Sequence, residues 1–234
     1  WQVPIELRFS PQSRRIKLSV RRGGKALLSF PKGVRQHEIL HFLREQTDWL
    51  RRALQQSKNQ PAATDLSSHL EKFPWVSVAG KLCTLECAET AARPFLVFRE
   101  GEELVLFRHR GGNGRDADLK NLLRDLAAQT LPSRTQHLAK EIGAAFQRVS
   151  VRNQQGRWGS CSSRGTISLN WRLVLLPPAL QDYVILHELA HTREMNHSDR
   201  FWKQLAEWDS DWKKNDRALT RQWGHLMELG REED

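Results

Sequence analysis

Two histidines four residues apart, with a glutamate directly after the first, constrain this chain more than any other feature. Residues 187–191 read His-Glu-Leu-Ala-His, and His197 follows a short way downstream. Side chains four apart lie on one face of an α-helix. Neutral imidazoles are zinc ligands, and a site with three protein ligands keeps one coordination position open for water. We therefore predict one Zn²⁺ per chain, bound by His187, His191 and His197.

The glutamate of this motif is placed to act as a general base. Glu188 comes directly after the first histidine, so its carboxylate can reach a water at the open coordination position. A carboxylate there accepts the proton of the attacking water and passes it to the leaving amine. We predict that Glu188 is the catalytic residue of a zinc hydrolase.

The helix that carries the motif is predicted to be buried. Leu180 and Val184 lie on the histidine side, and Ile185 and Leu189 lie on the opposite side. A helix that is apolar on both flanks belongs in a protein interior. Buried imidazole and carboxylate groups need polar partners, and a metal ion supplies them. A buried polar network without metal is the alternative.

The third histidine is expected just before another helix. Asn196 tolerates the left-handed backbone that a tight turn demands, and either Asn196 or Ser198 is typical of a helix N-cap. The positive end of a helix dipole disfavours an imidazolium. We therefore expect His197 to be neutral, which is its ligating form.

Several further motifs, taken in order, resemble one peptidase family. They are Arg157-Trp158-Gly159-Ser160-Cys161, Leu169-Asn170-Trp171-Arg172-Leu173, Asp182-Tyr183-Val184, the histidine motif, Asn196-His197-Ser198 and Phe201-Trp202. This order is similar to that of the YgjP-like zinc metallopeptidases, which are related to the SprT and WLM proteases. Ser13-Arg14-Arg15 and Asp48-Trp49-Leu50 extend the resemblance over nearly the whole chain. The resemblance implies a zincin-like fold and zinc-dependent peptide hydrolysis.

A second peptidase class, the metzincins, has the same spacing between its second and third histidines. The metzincin turn requires a glycine where this chain has Glu194, so that class is disfavoured. Two interpretations of Glu194 remain: it hydrogen-bonds a ligand histidine, or it is a solvated side chain at the end of the helix.

Substrate contacts are predicted upstream of the metal helix. Residues 166–173 alternate polar and apolar side chains, as a half-buried strand does. A strand beside a catalytic helix can pair with an extended peptide substrate. We therefore predict substrate-binding roles for Asn170 and Arg172 on its polar face, and for Tyr183 one turn before the first histidine. A solvated strand face and simple packing of the tyrosine are the alternatives.

The chain is basic, with a formal net charge of +10, and most of the excess lies in the first 72 residues. Arg14, Arg15, Arg21 and Arg22 fall around one predicted hairpin, and such a patch attracts the phosphates of nucleic acids. A solvated surface is the other interpretation. An adaptor that binds nucleic acid through this region and carries a catalytically silent zinc domain is therefore the alternative to a peptidase.

The pattern of elements predicts an α+β protein. We expect an N-terminal β-rich region with one helix over residues 1–114, followed by a zincin-like metallopeptidase domain over residues 115–234. A single helix is predicted over residues 36–57, and another over residues 116–147 with an interruption near Pro132.

The remaining composition bears on location. No apolar run is long enough for a transmembrane helix, and no secretory signal begins the sequence. The three cysteines form no C-x-x-C pair, which favours a reducing compartment. We predict a cytoplasmic protein without a membrane partner. Cys161, beside the predicted site, is either a redox-sensitive thiol or a small packed residue.

Overall fold

The chain folds as a mixed α+β protein, as predicted. The computed structural model describes residues 4–11, 13–21, 25–58 and 65–230, and it gives only the backbone of Arg21, Lys25, residues 56–58 and Glu100. Its contacts divide the chain into two compact units, residues 1–64 and residues 65–234.

The N-terminal unit combines a small sheet with two helices. Strand β3 is central, parallel to β1 and antiparallel to β2. A small apolar core contains Ala26, Leu50 and Leu54. The single helix predicted over residues 36–57 is two helices, because Gln46 leaves helical geometry. The elements are β1 (Ile5–Phe9), β2 (Lys17–Arg21), β3 (Lys25–Phe30), α1 (Gln36–Glu45) and α2 (Thr47–Lys58).

The second unit begins with a helix and a four-stranded sheet in the order β4-β5-β7-β6. Val76, Val105 and Phe107 of this sheet belong to the same hydrophobic core as Leu119 and Leu123 of the helix that follows it. The sheet is therefore part of the unit that carries the histidines, whereas we had predicted a division after residue 114. These elements are α3 (Leu66–Lys72), β4 (Trp75–Val78), β5 (Lys81–Glu89), β6 (Phe95–Arg99), β7 (Leu104–His109) and α4 (Arg115–Glu141).

Helix α4 continues through Pro132, so the interruption predicted there was wrong. An internal proline costs a helix about 3 kcal/mol or more. Burial on the two sides of that residue offsets the cost, since Leu126 and Leu131 before it and Leu138 after it are all buried. Within the described residues, no helix is both long and apolar enough to cross a membrane.

A second, three-stranded sheet leads to the helix that carries the His-Glu-Leu-Ala-His motif. Its order is β8-β10-β9, so β10 is central and β9 is an edge strand. β10 ends at Asn170, and a 3-10 helix, Trp171–Leu175, replaces the rest of the predicted strand. The remaining elements are β8 (Arg148–Arg152), β9 (Gly159–Cys161), β10 (Thr166–Asn170), α5 (Pro178–Ala190), α6 (Asp199–Trp208), α7 (Trp212–Arg221) and a 3-10 helix, Gly224–Glu228.

Helix α5 is enclosed by its neighbours. Ile185 and Leu189 are fully buried, and Leu180 and Val184 are nearly so, which confirms the predicted burial of both flanks. Arg134 on α4 clamps the helix through two hydrogen bonds to Asp182, of 2.8 and 2.6 Å. This clamp fixes the position of α5 and of the residues it carries.

A buried histidine outside helix α5 is expected to make the second unit sensitive to acid. His69 packs against Phe73, with ring centroids 5.1 Å apart. Burial lowers its pKa to about 4, and the charges of His225 and Lys72 add to the effect. Since the pKa in the folded state lies below the unfolded value near 6.5, the contribution of neutral His69 is complete above pH 6.5 and is lost as the pH falls toward 4.

We expect His69→Leu to reduce the dependence of the free energy of unfolding on pH in this range. Between pH 7 and pH 4 the wild-type protein should lose up to about 3 kcal/mol more of this free energy than the variant. Urea unfolding followed by tryptophan fluorescence at several pH values measures the difference. Parallel profiles for the two proteins would contradict the assignment.

Candidate metal centre

Three imidazoles converge at the end of α5. His187 lies in its last turn, His191 is the residue that ends it, and His197 follows the connecting turn. The ligand atoms of the three side chains all lie within 4.8 Å of one another, and the two Nε2 atoms of His187 and His197 are 3.0 Å apart. Tetrahedral zinc with bonds of about 2.05 Å separates its ligand atoms by about 3.3 Å. The group can therefore hold a metal ion.

The turn after α5 orients the second imidazole. Nδ1 of His191 lies 3.0 Å from the main-chain carbonyl oxygen of Glu194. The other ring nitrogen, Nε2, is therefore the one available to bind a metal ion together with the other two histidines. The main chain of Glu194 makes this contact, rather than the carboxylate that the sequence suggested. Ser198 caps α6 by accepting a hydrogen bond from the N–H of Phe201. Among the described non-glycine residues only Ala79 and Glu103 have positive φ, so the left-handed turn expected at Asn196 is wrong.

Aromatic rings of α6 form the floor of the histidine cluster. The ring centroid of Phe201 lies 4.6 to 4.9 Å from those of all three histidines. Trp202 stacks on His197 at 5.3 Å and on Trp212 at 4.5 Å. These aromatic rings limit the rotamers that the imidazoles can adopt. The ligand nitrogen atoms of the three histidines are therefore held near one another before any ion binds.

Burial favours the neutral, ligating form of the imidazoles. It is the main reason that the pKa of His187 falls to about 4, and the charges of His191 and His197 lower it further. Burial also lowers the pKa of His191, against the hydrogen bond to Glu194. The site is therefore ready to accept a cation near neutral pH without releasing protons from these two residues.

Glu188 points from the same helix into the same site. Only 6% of its surface is exposed, and its Oε2 atom is buried without a hydrogen-bond partner. Burial raises its pKa to about 8, and the positive charge of Arg157 opposes that rise. A divalent cation beside the carboxylate favours its ionised form in the same way. The unpartnered carboxylate and the three converging imidazoles are a set of groups that fits a divalent metal ion.

Edge strand β9 closes the other side of the cavity. The lining residues are Gly159, Ser160, Cys161, His187, Glu188, His191, Met195 and His197. A Cβ atom on Gly159 would lie 2.6 Å from Cγ of Glu188, so any larger residue there would push this side chain out of its position. The thiol of Cys161 has its pKa raised to about 11, first by burial and then by the charge of Glu188. It is thus protonated and poorly reactive.

The sheet edge that borders the cavity belongs to edge strand β9, not to the predicted strand β10. Strand β10 has a neighbour on each side. Hydrogen bonds from Asn170 N to Trp158 O and from Ser162 N to Thr166 O show which β9 residues face β10. In an antiparallel pair this pattern alternates from residue to residue, so Ser160 also faces β10, whereas Gly159 and Cys161 direct their N–H and C=O groups toward the open edge.

The three predicted substrate contacts are buried away from the cavity. Asn170 donates to the main-chain carbonyls of Gln154 and Arg157, at 2.8 and 3.1 Å. Arg172 is 1% exposed and donates to the carbonyl of Leu229. The structure brings neither residue into the cavity, because the C-terminal 3-10 helix and the loop after β8 cover the face that was predicted to be open.

Tyr183 is also a packing residue. Its hydroxyl donates to Asp216 at 3.0 Å, and its ring meets His187 edge-on with centroids 6.0 Å apart. The side chain supports the first histidine and does not line the cavity.

Two of the four arginines of the predicted nucleic-acid interface, Arg14 and Arg15, are exposed in the N-terminal unit. Arg22 and the side chain of Arg21 lie outside the described residues. The role proposed for these arginines stays a prediction.

The fold and the site together define a class: a mixed α+β metalloprotein with three histidines and one glutamate around a cavity. A family model described as YgjP-like, metallopeptidase domain, matches residues 14–222. The chain therefore belongs to the YgjP-like metallopeptidase family, which confirms the resemblance seen in its motifs. The crystal structure of the metallopeptidase zymogen abylysin from Pyrococcus abyssi shares 26% identity with it, over 38% of this chain and 91% of that chain, with a TM-score of 0.33. No curated protein matches.

Removing one imidazole should weaken metal binding sharply. We expect His197→Ala to lower the affinity for Zn²⁺ at least about 100-fold. Even substitution of a residue that only hydrogen-bonds a metal ligand lowers metal affinity about 10- to 100-fold. Competition with a chromogenic chelator measures this affinity. The control is His137→Ala, an exposed histidine of α4 that pairs with Glu141. Equal affinity in the two variants would rule out His197 as a ligand.

Proposed function

We propose that this protein is a zinc-dependent peptidase that hydrolyses peptide bonds with Glu188 as general base. One observation carries the proposal: three converging imidazoles share a cavity with a buried carboxylate oxygen that has no partner. A structural zinc site has four protein ligands and needs no such group. Membership of a metallopeptidase family supports the same reaction class.

Each side chain takes its role from its position. His187, His191 and His197 would hold the zinc ion, which when bound supplies a water of lowered pKa and polarises the substrate carbonyl. Glu188 would take the proton of the attacking water on its unpaired oxygen and deliver it to the leaving nitrogen. Burial raises the pKa of Glu188 to about 8, which makes the protonated acid of the second transfer accessible near neutral pH, and a bound cation would favour the ionised form that the first transfer needs.

The edge of β9 offers a way to hold the substrate. Gly159 and Cys161 direct unpaired main-chain groups outward beside the cavity, and an extended peptide can add to such an edge as a further strand. Main-chain hydrogen bonds of this kind bind a peptide without selecting its side chains. A protein or peptide substrate is therefore the partner that the site fits, and the cytoplasmic location expected from the sequence stays a prediction.

Replacing the base should separate hydrolysis from metal binding. We expect Glu188→Gln to lower the rate of peptide hydrolysis by at least about 100-fold, since a positioned general base contributes 10²- to 10⁴-fold. Zinc content, measured by atomic absorption, should remain at one ion per chain. Hydrolysis of a casein substrate at the wild-type rate by this variant would refute the proposed role. Absence of any zinc-dependent hydrolysis by the wild-type protein would instead favour the adaptor, in which the zinc domain is silent.

Gly159→Ala tests the packing of strand against carboxylate. The added methyl group would collide with Glu188, so we expect kcat to fall at least about tenfold while KM and zinc content change little. In a Glu188→Asp background the shorter side chain leaves room, so the same alanine should cost much less. Equal losses in the two backgrounds would mean that Gly159 acts on stability alone.

A further inference from the structure

Acidic residues are missing from the stretch of sequence that builds one wall of the cavity. Between Glu141 and Asp182 there is no Asp or Glu, although the chain contains 27 of them. The same stretch has five arginines and no lysine. One of them, Arg172, is buried and donates two hydrogen bonds to the main-chain carbonyl of Leu229. The other four are exposed: Arg148, Arg152, Arg157 and Arg164.

The register of the sheet divides these four arginines into two pairs. Arg157 precedes β9, and the hydrogen bond from Asn170 to its carbonyl fixes its backbone. Arg164 lies in the turn after β9, which a hydrogen bond from Gly165 N to Ser162 O closes at 2.8 Å. One arginine thus flanks each end of the open-edged strand. Arg148 and Arg152 lie on β8, beyond central strand β10.

The arginines that flank β9 are free to bind a partner. Within the described ranges, neither Arg157 nor Arg164 forms an ion pair, whereas Arg110 and Arg134 are each bonded to an aspartate. A free guanidinium offers five N–H donors in a fork that matches a carboxylate. The charge of Arg157 also reaches Glu188, which places it beside the cavity.

An acidic polypeptide and a single-stranded nucleic acid would both fit such a surface, and the observations favour the polypeptide. The arginines flank a strand whose open edge can pair with an extended peptide. Proteins that bind single-stranded nucleic acid stack its bases on exposed aromatic rings. No large aromatic side chain is exposed in residues 142–181, a range that the structure describes in full.

We propose that Arg157 and Arg164 select substrates with acidic residues on both sides of the cleaved bond. This specificity rests on the proposed peptidase function, because it assumes that the peptide lies along β9. Arg157 and Arg164 are seven positions apart in the sequence, and the segment between them ends in a turn. Because an extended chain advances about 3.3 Å per residue, two acidic residues roughly four to seven positions apart in the substrate would reach the two arginines. The acid-free stretch removes the repulsion that such a substrate would otherwise meet.

Binding and cleavage are measured separately. Zinc-loaded Glu188→Gln protein is titrated into fluorescein-labelled peptides that carry two glutamates five residues apart, or two glutamines at the same positions. We expect the acidic peptide to bind at least about fivefold more tightly in dilute buffer, and the preference to shrink in 0.5 M NaCl. Arg157→Gln and Arg164→Gln should each remove about two- to fivefold of it, as exposed ion pairs do.

The arginines of β8 are the matched control. Arg148→Gln and Arg152→Gln remove the same charge from the same sheet, and they should leave the preference unchanged within about twofold. A loss equal to that of the flanking variants would overturn the proposal, because it would indicate a polyanion spread over the whole sheet. Tighter binding of a single-stranded oligonucleotide than of the acidic peptide would also overturn it.

Cleavage separates this proposal from the one on which it rests. Wild-type protein is incubated with a mixed peptide library, and the cut sites are read by mass spectrometry. Asp and Glu should be enriched on both sides of the cut, and the enrichment should fall in the Arg157→Gln/Arg164→Gln double variant. Cleavage without enrichment would refute the acidic specificity and leave the peptidase intact. Arginine-dependent binding without any cleavage would refute the peptidase, and with it the substrate specificity, and would leave only a binding site for acidic peptides.

Discussion

Enclosing helix α5 on every side is the constraint on which the rest of the second unit depends. A polar group on a buried helix must find a partner within the protein or bear the cost of desolvation. Gln181, Asp182 and Tyr183 have such partners in Leu173, Arg134 and Asp216. Glu188 Oε2 and His187 Nδ1 do not. The polar groups of α5 that lack a partner thus lie at the end of the helix that faces the cavity. A cation or a substrate bound in the cavity can supply partners there.

The site is rigid because separate elements fix its parts. The Arg134–Asp182 clamp holds the helix that carries two of the histidines, and the cap at Ser198 fixes the start of the helix after the third. Phe201 packs against all three rings, so displacing one imidazole disturbs the others. Preorganisation of this kind lowers the entropy lost when a metal ion binds.

Local patterns in the sequence were enough to predict the metal helix, its burial and the three converging histidines. They could not reveal Gly159, because its importance comes from contact with Glu188, which is distant in the chain. Strand β9 has three residues, too few for a periodic pattern. Asn170 and Arg172 fit an exposed strand face until the C-terminal 3-10 helix covers it, a tertiary event that alternation cannot anticipate. The four-stranded sheet belongs to the second unit for the same reason. It shares a hydrophobic core with α4, and such a shared core depends on tertiary packing that local sequence patterns do not show.

Charge ties the chemistry of the cavity to its surroundings. Glu188 is the one acid among the residues that line it, and the neighbouring sheet sequence between Glu141 and Asp182 contributes only cations. A single buried carboxylate in a positive environment is easier to ionise than its burial alone would allow, as the effect of Arg157 illustrates. On the specificity proposed above, the same positive field attracts acidic polypeptides to the edge of β9. Because salt screens exposed charges much more than buried ones, it should weaken substrate capture more than it changes the ionisation of Glu188.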